Sequence, residues 1–137
     1  MRVVVDTNTV ISGLLWHGAP RQILDAARTG RIELFTSAVL LAELEDVLHR
    51  EKFAQRLALV GLTASDLVLG YAALAKLVEP AAIEPVIMED PEDNAVLGCA
   101  FAAHAEAIVS GDSHLLKLKK YQDIPIFAAD ELLTQIT

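Results

Sequence analysis

The sequence alternates short apolar runs with stretches of helical periodicity from end to end, and this alternation constrains the fold more than any other feature. Val3-Val4-Val5 is a continuous β-branched run, as expected of a central strand that is buried on both faces. Further strands are predicted at residues 32–35, 77–79, 107–110 and 124–127, with helices between them. Strands that alternate with helices favour an α/β protein with a mostly parallel sheet.

Helix boundaries are marked by residues that start or stop helices. Pro20 suits a first helical turn, and Gly30 is placed to end that helix. Thr36 or Ser37 can cap the next helix, and Thr63 begins a capping-box pattern with Asp66. Asp90 and Pro91 predict another helix start, whereas residues 86–88 fit either a strand or an extended loop.

Length and composition predict one domain over residues 1–137 with a large apolar core. The chain is 53% hydrophobic, but its apolar runs are shorter than the roughly 20 residues that span a bilayer. The N-terminal residues lack the pattern of a signal peptide, so a cytoplasmic location is expected. The single cysteine, Cys99, excludes an internal disulfide and is expected to pack in the core.

Four carboxylates are predicted at or near the carboxyl ends of strands, namely Asp6, Glu43, Asp93 and Asp112. Binding and chemistry gather at that edge of an open α/β sheet. Four acids that converge there repel one another unless a cation joins them, and oxygen ligands of this kind suit Mg²⁺ or Mn²⁺. Three of the acids also have a purely structural explanation. Asp6 could cap a helix, Glu43 could lie on a helix surface, and Asp93 could stabilise a helix dipole.

Two neighbouring polar residues could support the acids. Asn8 could orient Asp6 through a hydrogen bond, and Ser110 precedes Gly111 in the tight turn that leads to Asp112. Zinc is a weak candidate, because the four histidines lack paired ligand spacing and are interpreted as surface or packing residues: His17, His49, His104 and His114. The sequence has neither a Gly-x-x-x-x-Gly-Lys phosphate loop nor a Gly-x-Gly-x-x-Gly loop.

The net charge of −8 counts against a general nucleic-acid binder, which usually presents a basic surface. A bound cation would neutralise part of that charge at the acids themselves. Two basic groups could contact phosphate or simply face solvent; they are residues Arg50, Lys52 and Arg56 and residues Lys117, Lys119 and Lys120. Trp16 could stack on a base or be buried at a subunit contact.

The ordered set of motifs resembles the PIN domain family, and in particular its toxin-like branch similar to VapC. The resemblance is carried by Val5-Asp6-Thr7-Asn8, by Ser37 followed by Glu43, by Asp90-Pro91-Glu92-Asp93-Asn94, by Val109-Ser110-Gly111-Asp112-Ser113 and by residues 124–127. It implies a three-layer α/β/α fold with a sheet of about five strands. It also implies an Mg²⁺- or Mn²⁺-dependent ribonuclease.

The same resemblance assigns roles to individual residues and implies partners. Asp6, Glu43, Asp93 and Asp112 match the acidic catalytic and metal-binding quartet, and Asn8 and Ser110 match the supporting positions. Members of this branch are commonly toxins inhibited by an antitoxin protein, and many form homodimers. The expected partners are therefore an RNA substrate, an antitoxin and a second copy of the chain.

Two other functions remain open from sequence. A phosphatase of the haloacid-dehalogenase type would use Asp6 as a covalent nucleophile. That family typically begins with an Asp-x-Asp motif, whereas position 8 here is Asn. A binding module with the same fold would act by contact with little turnover. RNA cleavage and metal binding distinguish these functions.

Overall fold

The computed structural model describes residues 1–82 and 91–137 of the chain. Its sheet contains six strands in the order β3-β2-β1-β4-β6-β5. All neighbouring strands are parallel except β5 and β6, which are antiparallel. The strands are β1 (Arg2–Val5), β2 (Glu33–Thr36), β3 (Lys76–Leu77), β4 (Ala107–Val109), β5 (Lys120–Tyr121) and β6 (Ile124–Phe127). The predicted α/β class and mostly parallel sheet are confirmed.

Helices connect the strands. They are α1 (Thr7–Leu15), α2 (Ala19–Arg28), α3 (Ala38–Leu48), α4 (Ala54–Val60), α5 (Ala64–Leu74), α6 (Pro91–Ala102), α7 (Ser113–Leu118) and α8 (Ala129–Ile136), with a 3₁₀ turn at Glu51–Phe53. Ser37 caps α3 by accepting a hydrogen bond from the Leu40 N–H. Thr63 and Asp66 form the predicted capping box at the start of α5. Gly61 ends α4 in the left-handed conformation, with φ of 73°.

The core lies on both faces of the sheet because successive side chains of a strand point to opposite sides. Val3 and Val5 pack with apolar residues of α1, α2, α3 and α5 on one face. Val4 packs on the other face with residues of α6 and α7. This arrangement places helices on both sides of the sheet. It also explains why the β-branched run at residues 3–5 is apolar at every position.

Cys99 is fully buried in this second core cluster, so the prediction that it packs in the core is confirmed. Burial raises the pKa of its thiol to about 12. A thiol with so high a pKa carries little thiolate at neutral pH and is a poor nucleophile. Cys99 therefore has a structural role.

The structure differs from the prediction at three places. Among the described residues the sheet has six strands rather than about five, because the two-residue strand β5 pairs with β6 through a turn in which Gln122 and Asp123 adopt positive φ. Helix α6 ends at Ala102 rather than near His104, which has φ of 52° and cannot continue the helix. Strand β3 spans only residues 76–77. Both the prediction for residues 86–88 and the proposed cap Asp90 lie outside the described residues.

Within residues 1–82 and 91–137, no single helix has the length and apolar composition needed to cross a bilayer. The segment Glu51–Val60 and helix α5 meet that criterion only as a pair, and the two are bent by 76° relative to each other.

Candidate active site

The end of strand β1 and the end of strand β4 lie side by side at the centre of the sheet. The two strands are parallel neighbours with Val5 opposite Val109, and the Asp6 N–H donates a hydrogen bond to the Val109 carbonyl over 3.0 Å. The residues that follow the two strands, Asp6 and Ser110, are therefore brought together at one sheet edge.

Ser110 links two of the predicted acids through its hydroxyl group. Its Oγ donates to Asp6 Oδ2 over 2.5 Å and accepts a hydrogen bond from the Asp112 N–H over 2.9 Å. Ser110 is only 1% exposed, and its own N–H donates to the Phe127 carbonyl of β6. The two hydrogen bonds of the buried hydroxyl and the one backbone bond of Ser110 hold the turn at residues 110–112 against the side chain of Asp6.

Asp6 and Asp112 each cap the helix that follows them. Asp6 Oδ1 accepts a hydrogen bond from the Thr9 N–H at the start of α1. Asp112 Oδ1 accepts hydrogen bonds from the N–H groups of His114 and Leu115 at the start of α7. The structural explanation considered for Asp6 is thus correct as well, and capping fixes the orientation of both carboxylates without excluding them from a binding site.

Glu43 and Asp93 reach the same place from helices α3 and α6. With Asp6 and Asp112 they line one small pocket, whose other walls are Thr7, Asn8 and Val96. Asp93 is 6% exposed and Glu43 is partly buried. The structure therefore brings all four predicted acids together, although they come from four separate segments of the chain.

Asn8 was considered as a residue that orients Asp6 through a hydrogen bond, but other groups make the hydrogen bonds described for Asp6. The Asp6 carboxylate accepts its hydrogen bonds from the Thr9 N–H and the Ser110 hydroxyl. The Asn8 side chain is exposed and lies where the acidic pocket meets a larger neighbouring groove. Its position suits contact with a bound molecule better than the orientation of Asp6.

His114 lies beside the acidic pocket with an exposed side chain, which agrees with its interpretation as a surface residue. Ligand atoms of Asp93, Asp112 and His114 all lie within 4.8 Å of one another, and His114 Nδ1 is 3.7 Å from Asp112 Oδ1. The sequence signal was its place two residues after Asp112, inside the first turn of α7 that Asp112 caps. The other three histidines are exposed residues outside this group.

The donor set of the pocket fits a hard divalent cation. Its described lining includes four carboxylates and no lysine or arginine. Carboxylates this close to one another are stabilised by a cation, and oxygen donors are the ligands that Mg²⁺ and Mn²⁺ prefer. Asp6, Glu43, Asp93 and Asp112 are the residues that would hold the ion, with His114 beside them.

The two basic groups lie outside the described lining of the pocket. Arg56 packs over the Trp16 ring at 5.3 Å and donates a hydrogen bond to the Leu15 carbonyl. Lys52 lies over the Phe53 ring. This group therefore supports the end of α1, where Trp16, 41% exposed, makes an edge-on contact with Phe53.

Tyr71 is a buried ionisable residue close to the site. With Thr7 and Thr36 it lines a small internal cavity beneath the acidic pocket, which shares Thr7. Burial raises the pKa of the Tyr71 hydroxyl above its ordinary value, and the nearby Cys99 thiol and Asp6 carboxylate raise it further. The hydroxyl makes no hydrogen bond within the described residues. Tyr71 is therefore neutral across the physiological pH range.

A family model described as a PIN domain matches residues 2–114, which include all four acids of the pocket and His114. No curated protein matches the sequence. PIN domains are typically metal-dependent nucleases, and the acidic pocket of this chain is consistent with metal binding. The match covers most of the chain and extends across the described sheet from β1 to β4. The chain therefore belongs to the PIN domain family.

Proposed function

We propose that the protein is a divalent-metal-dependent endoribonuclease that hydrolyses phosphodiester bonds of RNA. The observation that carries this proposal is the meeting of Asp6, Glu43, Asp93 and Asp112 around one pocket. Membership of the PIN domain family supports nuclease chemistry at that pocket. The four acids are the proposed catalytic and metal-binding residues, and Mg²⁺ or Mn²⁺ is the proposed cofactor.

The four acids differ in how rigidly the fold holds their side chains. Asp6 and Asp112 are fixed by helix capping and share the Ser110 hydroxyl, so they provide rigid ligands. Asp93 is a buried ligand on α6, and Glu43 is more open to solvent on α3. A bound divalent ion would supply the Lewis acidity that phosphodiester hydrolysis requires. Rigid ligands reduce the reorganisation that accompanies the reaction.

RNA cleavage provides the direct test. A labelled single-stranded RNA and the DNA of the same sequence are incubated with the protein and Mg²⁺, Mn²⁺ or a chelator. We expect cleavage of the RNA only with the ion, and loss of both cleavage and Mn²⁺ binding in Asp6→Asn. Cleavage that persists in the chelator or in Asp6→Asn would contradict the proposal, and cleavage of DNA alone would change the substrate.

We further propose that the protein is the toxin of a toxin–antitoxin pair and forms a homodimer. Exposed apolar side chains on α4, α5 and β3 support a protein partner, since Leu59 is 73% exposed and Leu69 and Leu77 are similarly open. Expression alone should arrest growth, and coexpression of a small protein encoded in the neighbouring reading frame should relieve it. Light scattering measures the mass of the particle, and a monomer at all concentrations would contradict the dimer.

Two alternative functions, a phosphatase and a binding module, can be tested with the same purified protein. A phosphatase that uses Asp6 as nucleophile is disfavoured, because position 8 is Asn and the Asp6 carboxylate is engaged by Thr9 and Ser110. A binding module without turnover would bind RNA but leave it intact at saturating Mn²⁺. The cleavage assay separates these outcomes from the proposed nuclease.

A further inference from the structure

A larger open groove adjoins the acidic pocket. It encloses about 500 Å³ and shares Asn8 and Asp112 with the pocket that contains the four acids. Its volume falls within the roughly 300–1,000 Å³ that is usual for small-molecule sites. A phosphodiester held at the acids would therefore have one of its flanking nucleosides at the mouth of this groove.

The groove has a mixed polar and apolar lining, and its described residues carry no positive charge. The lining consists of Asn8, Thr9, Ser12, Pro20, Ser110, Gly111, Asp112, Ser113, Ala128 and Ala129. Hydroxyl and amide groups can donate and accept hydrogen bonds, whereas the small residues provide flat apolar contact. Phosphates are usually held by lysine, arginine or a cation, so this lining suits the uncharged parts of a nucleotide, its base and ribose.

Three walls of the groove are held in place by contacts behind them. Gly13 allows α2 to approach α1, because a Cβ at Gly13 would lie 2.8 Å from both the Pro20 carbonyl oxygen and Leu24 Cδ1. Arg21 closes that contact with a hydrogen bond to the Gly13 carbonyl. On the other side, the Ala128 N–H donates to Glu131 Oε1 at the start of α8. The groove is therefore a preformed, open depression between α1, α2, α8 and the turn before α7.

We propose that this groove binds one unpaired nucleoside next to the scissile phosphate of a single-stranded RNA. The inference rests on the proposed ribonuclease function, which places the phosphate at the four acids. Recognition would come from hydrogen bonds to Asn8, Ser12 and Ser113 and from shape. Only a nucleoside turned out of a helix can enter a concave site of this kind, so duplex RNA is excluded.

Filling the groove tests the proposal. Ala129→Trp places a large side chain in its wall, and Ala58→Trp is the matched control because Ala58 is exposed on α4 and lies outside the groove. We expect Ala129→Trp to raise the KM for a short single-stranded RNA by about tenfold or more. Its Mn²⁺ affinity, measured by electron paramagnetic resonance, should stay within about twofold of the wild type. Ala58→Trp should change neither quantity.

A second, smaller variant protects the test against misfolding. Ser12→Leu narrows the groove from α1, and circular dichroism confirms that each variant is folded. An unchanged KM in both folded groove variants would overturn the proposal, as would equal cleavage of duplex and single-stranded RNA. Weak dependence of KM on salt is also expected, because the described lining of the groove has no lysine or arginine to displace counterions.

Failure of the proposed nuclease function has a different signature. In that case the wild-type protein cleaves no RNA with either ion, and fluorescence anisotropy replaces KM as the readout. If the wild type binds the single-stranded RNA and Ala129→Trp weakens that binding, the result would support nucleoside binding in the groove even in the absence of catalysis. Binding that both tryptophan variants leave unchanged would reject the groove.

Discussion

The hydroxyl of Ser110 donates a 2.5 Å hydrogen bond to the Asp6 carboxylate and at the same time accepts one from the Asp112 N–H. One buried oxygen therefore determines the position of an acid from β1 relative to an acid from the turn after β4. Groups that orient metal ligands in this way commonly affect metal affinity and activity by about 10–100-fold. We therefore propose that Ser110 positions the acids and is not itself a metal ligand.

Replacement of Ser110 by alanine should weaken both metal binding and the stability of the fold. The change leaves Asp6 Oδ2 and the Asp112 N–H without this shared partner, and we expect the Mn²⁺ affinity to fall by about 10–100-fold. The loss of buried hydrogen bonds should cost about 1–3 kcal/mol of unfolding free energy. Calorimetric Mn²⁺ titration and urea unfolding measure the two effects. Ser65→Ala, an exposed site on α5, is the control; equal affinities for the two variants would show that Ser110 does not position the ligands.

Glu43 and Glu45 provide a matched pair on helix α3. Glu43 lines the acidic pocket, whereas Glu45 is exposed two residues further along the helix. Glu43→Gln removes a charged oxygen ligand and should reduce Mn²⁺ affinity and RNA cleavage by about tenfold or more, with little change in stability. Glu45→Gln removes the same charge and should leave both quantities near the wild-type values. If the two variants behave alike, overall charge rather than ligation determines the effect.

His114 should shift the metal preference of the pocket. An imidazole favours Mn²⁺ and later transition metals over Mg²⁺, and His114 lies among the donor atoms of Asp93 and Asp112. We therefore expect His114→Gln to lower Mn²⁺ affinity by up to about tenfold while Mg²⁺ affinity changes less. Competition of Mg²⁺ against bound Mn²⁺, followed by electron paramagnetic resonance, gives the ratio directly. An unchanged ratio of Mn²⁺ to Mg²⁺ affinity would show that His114 does not set the metal preference. The control is His49→Gln, at the exposed C-terminal end of α3.

Tyr71→Phe should be tolerated or mildly stabilising at neutral pH. The Tyr71 hydroxyl is buried and has no hydrogen-bond partner within the described residues, so its removal eliminates a desolvated polar atom and leaves the ring in place. We expect the free energy of unfolding to rise by up to about 1 kcal/mol. Chemical denaturation measures this change. A loss of more than that amount would show that the hydroxyl makes a stabilising contact, for example with a water molecule.

Stability should decline at alkaline pH because of Cys99. Its pKa is raised by burial from an ordinary value of 9.0 to about 12 in the folded chain. Between these values the unfolded thiol is ionised and the folded thiol is not, so unfolding releases a proton and the free energy of unfolding falls as pH rises. The contribution is fully present below pH 9.0. The free energy of unfolding, obtained from denaturation curves at several pH values in this range, should fall less steeply with pH in Cys99→Ala than in the wild type. An identical dependence on pH in that variant would assign the decline to other groups.

The sequence predicted the parts of the site that directly follow the ends of neighbouring strands. Asp6 and Asp112 follow strands β1 and β4, and neighbouring parallel strands necessarily end at the same sheet edge. Glu43 and Asp93 depend instead on how α3 and α6 pack against the sheet, which their local sequences do not determine. The position of His114 beside Asp93 was not predicted, because its neighbours indicate an ordinary short helix and the proximity depends on tertiary packing.

The fold shows the same division between local and tertiary signals. The caps at Ser37 and Thr63 were predicted because a capping side chain bonds to its own helix. Strand β5 was not, since two residues carry no periodic pattern and its turn uses positive φ at Gln122 and Asp123, neither of which is glycine. Short elements that depend on pairing with a neighbour are therefore the least predictable from sequence.

The hydrogen bond between Ser110 and Asp6 joins residues 104 positions apart in the chain. Closing a loop of this length carries an entropic cost, which must be met before the contact can form. The complete set of acids therefore cannot assemble on a growing polypeptide before β4 and the turn after it have left the ribosome. An ion that binds only the completed set would stabilise the native state by mass action, so the melting temperature should depend on its concentration.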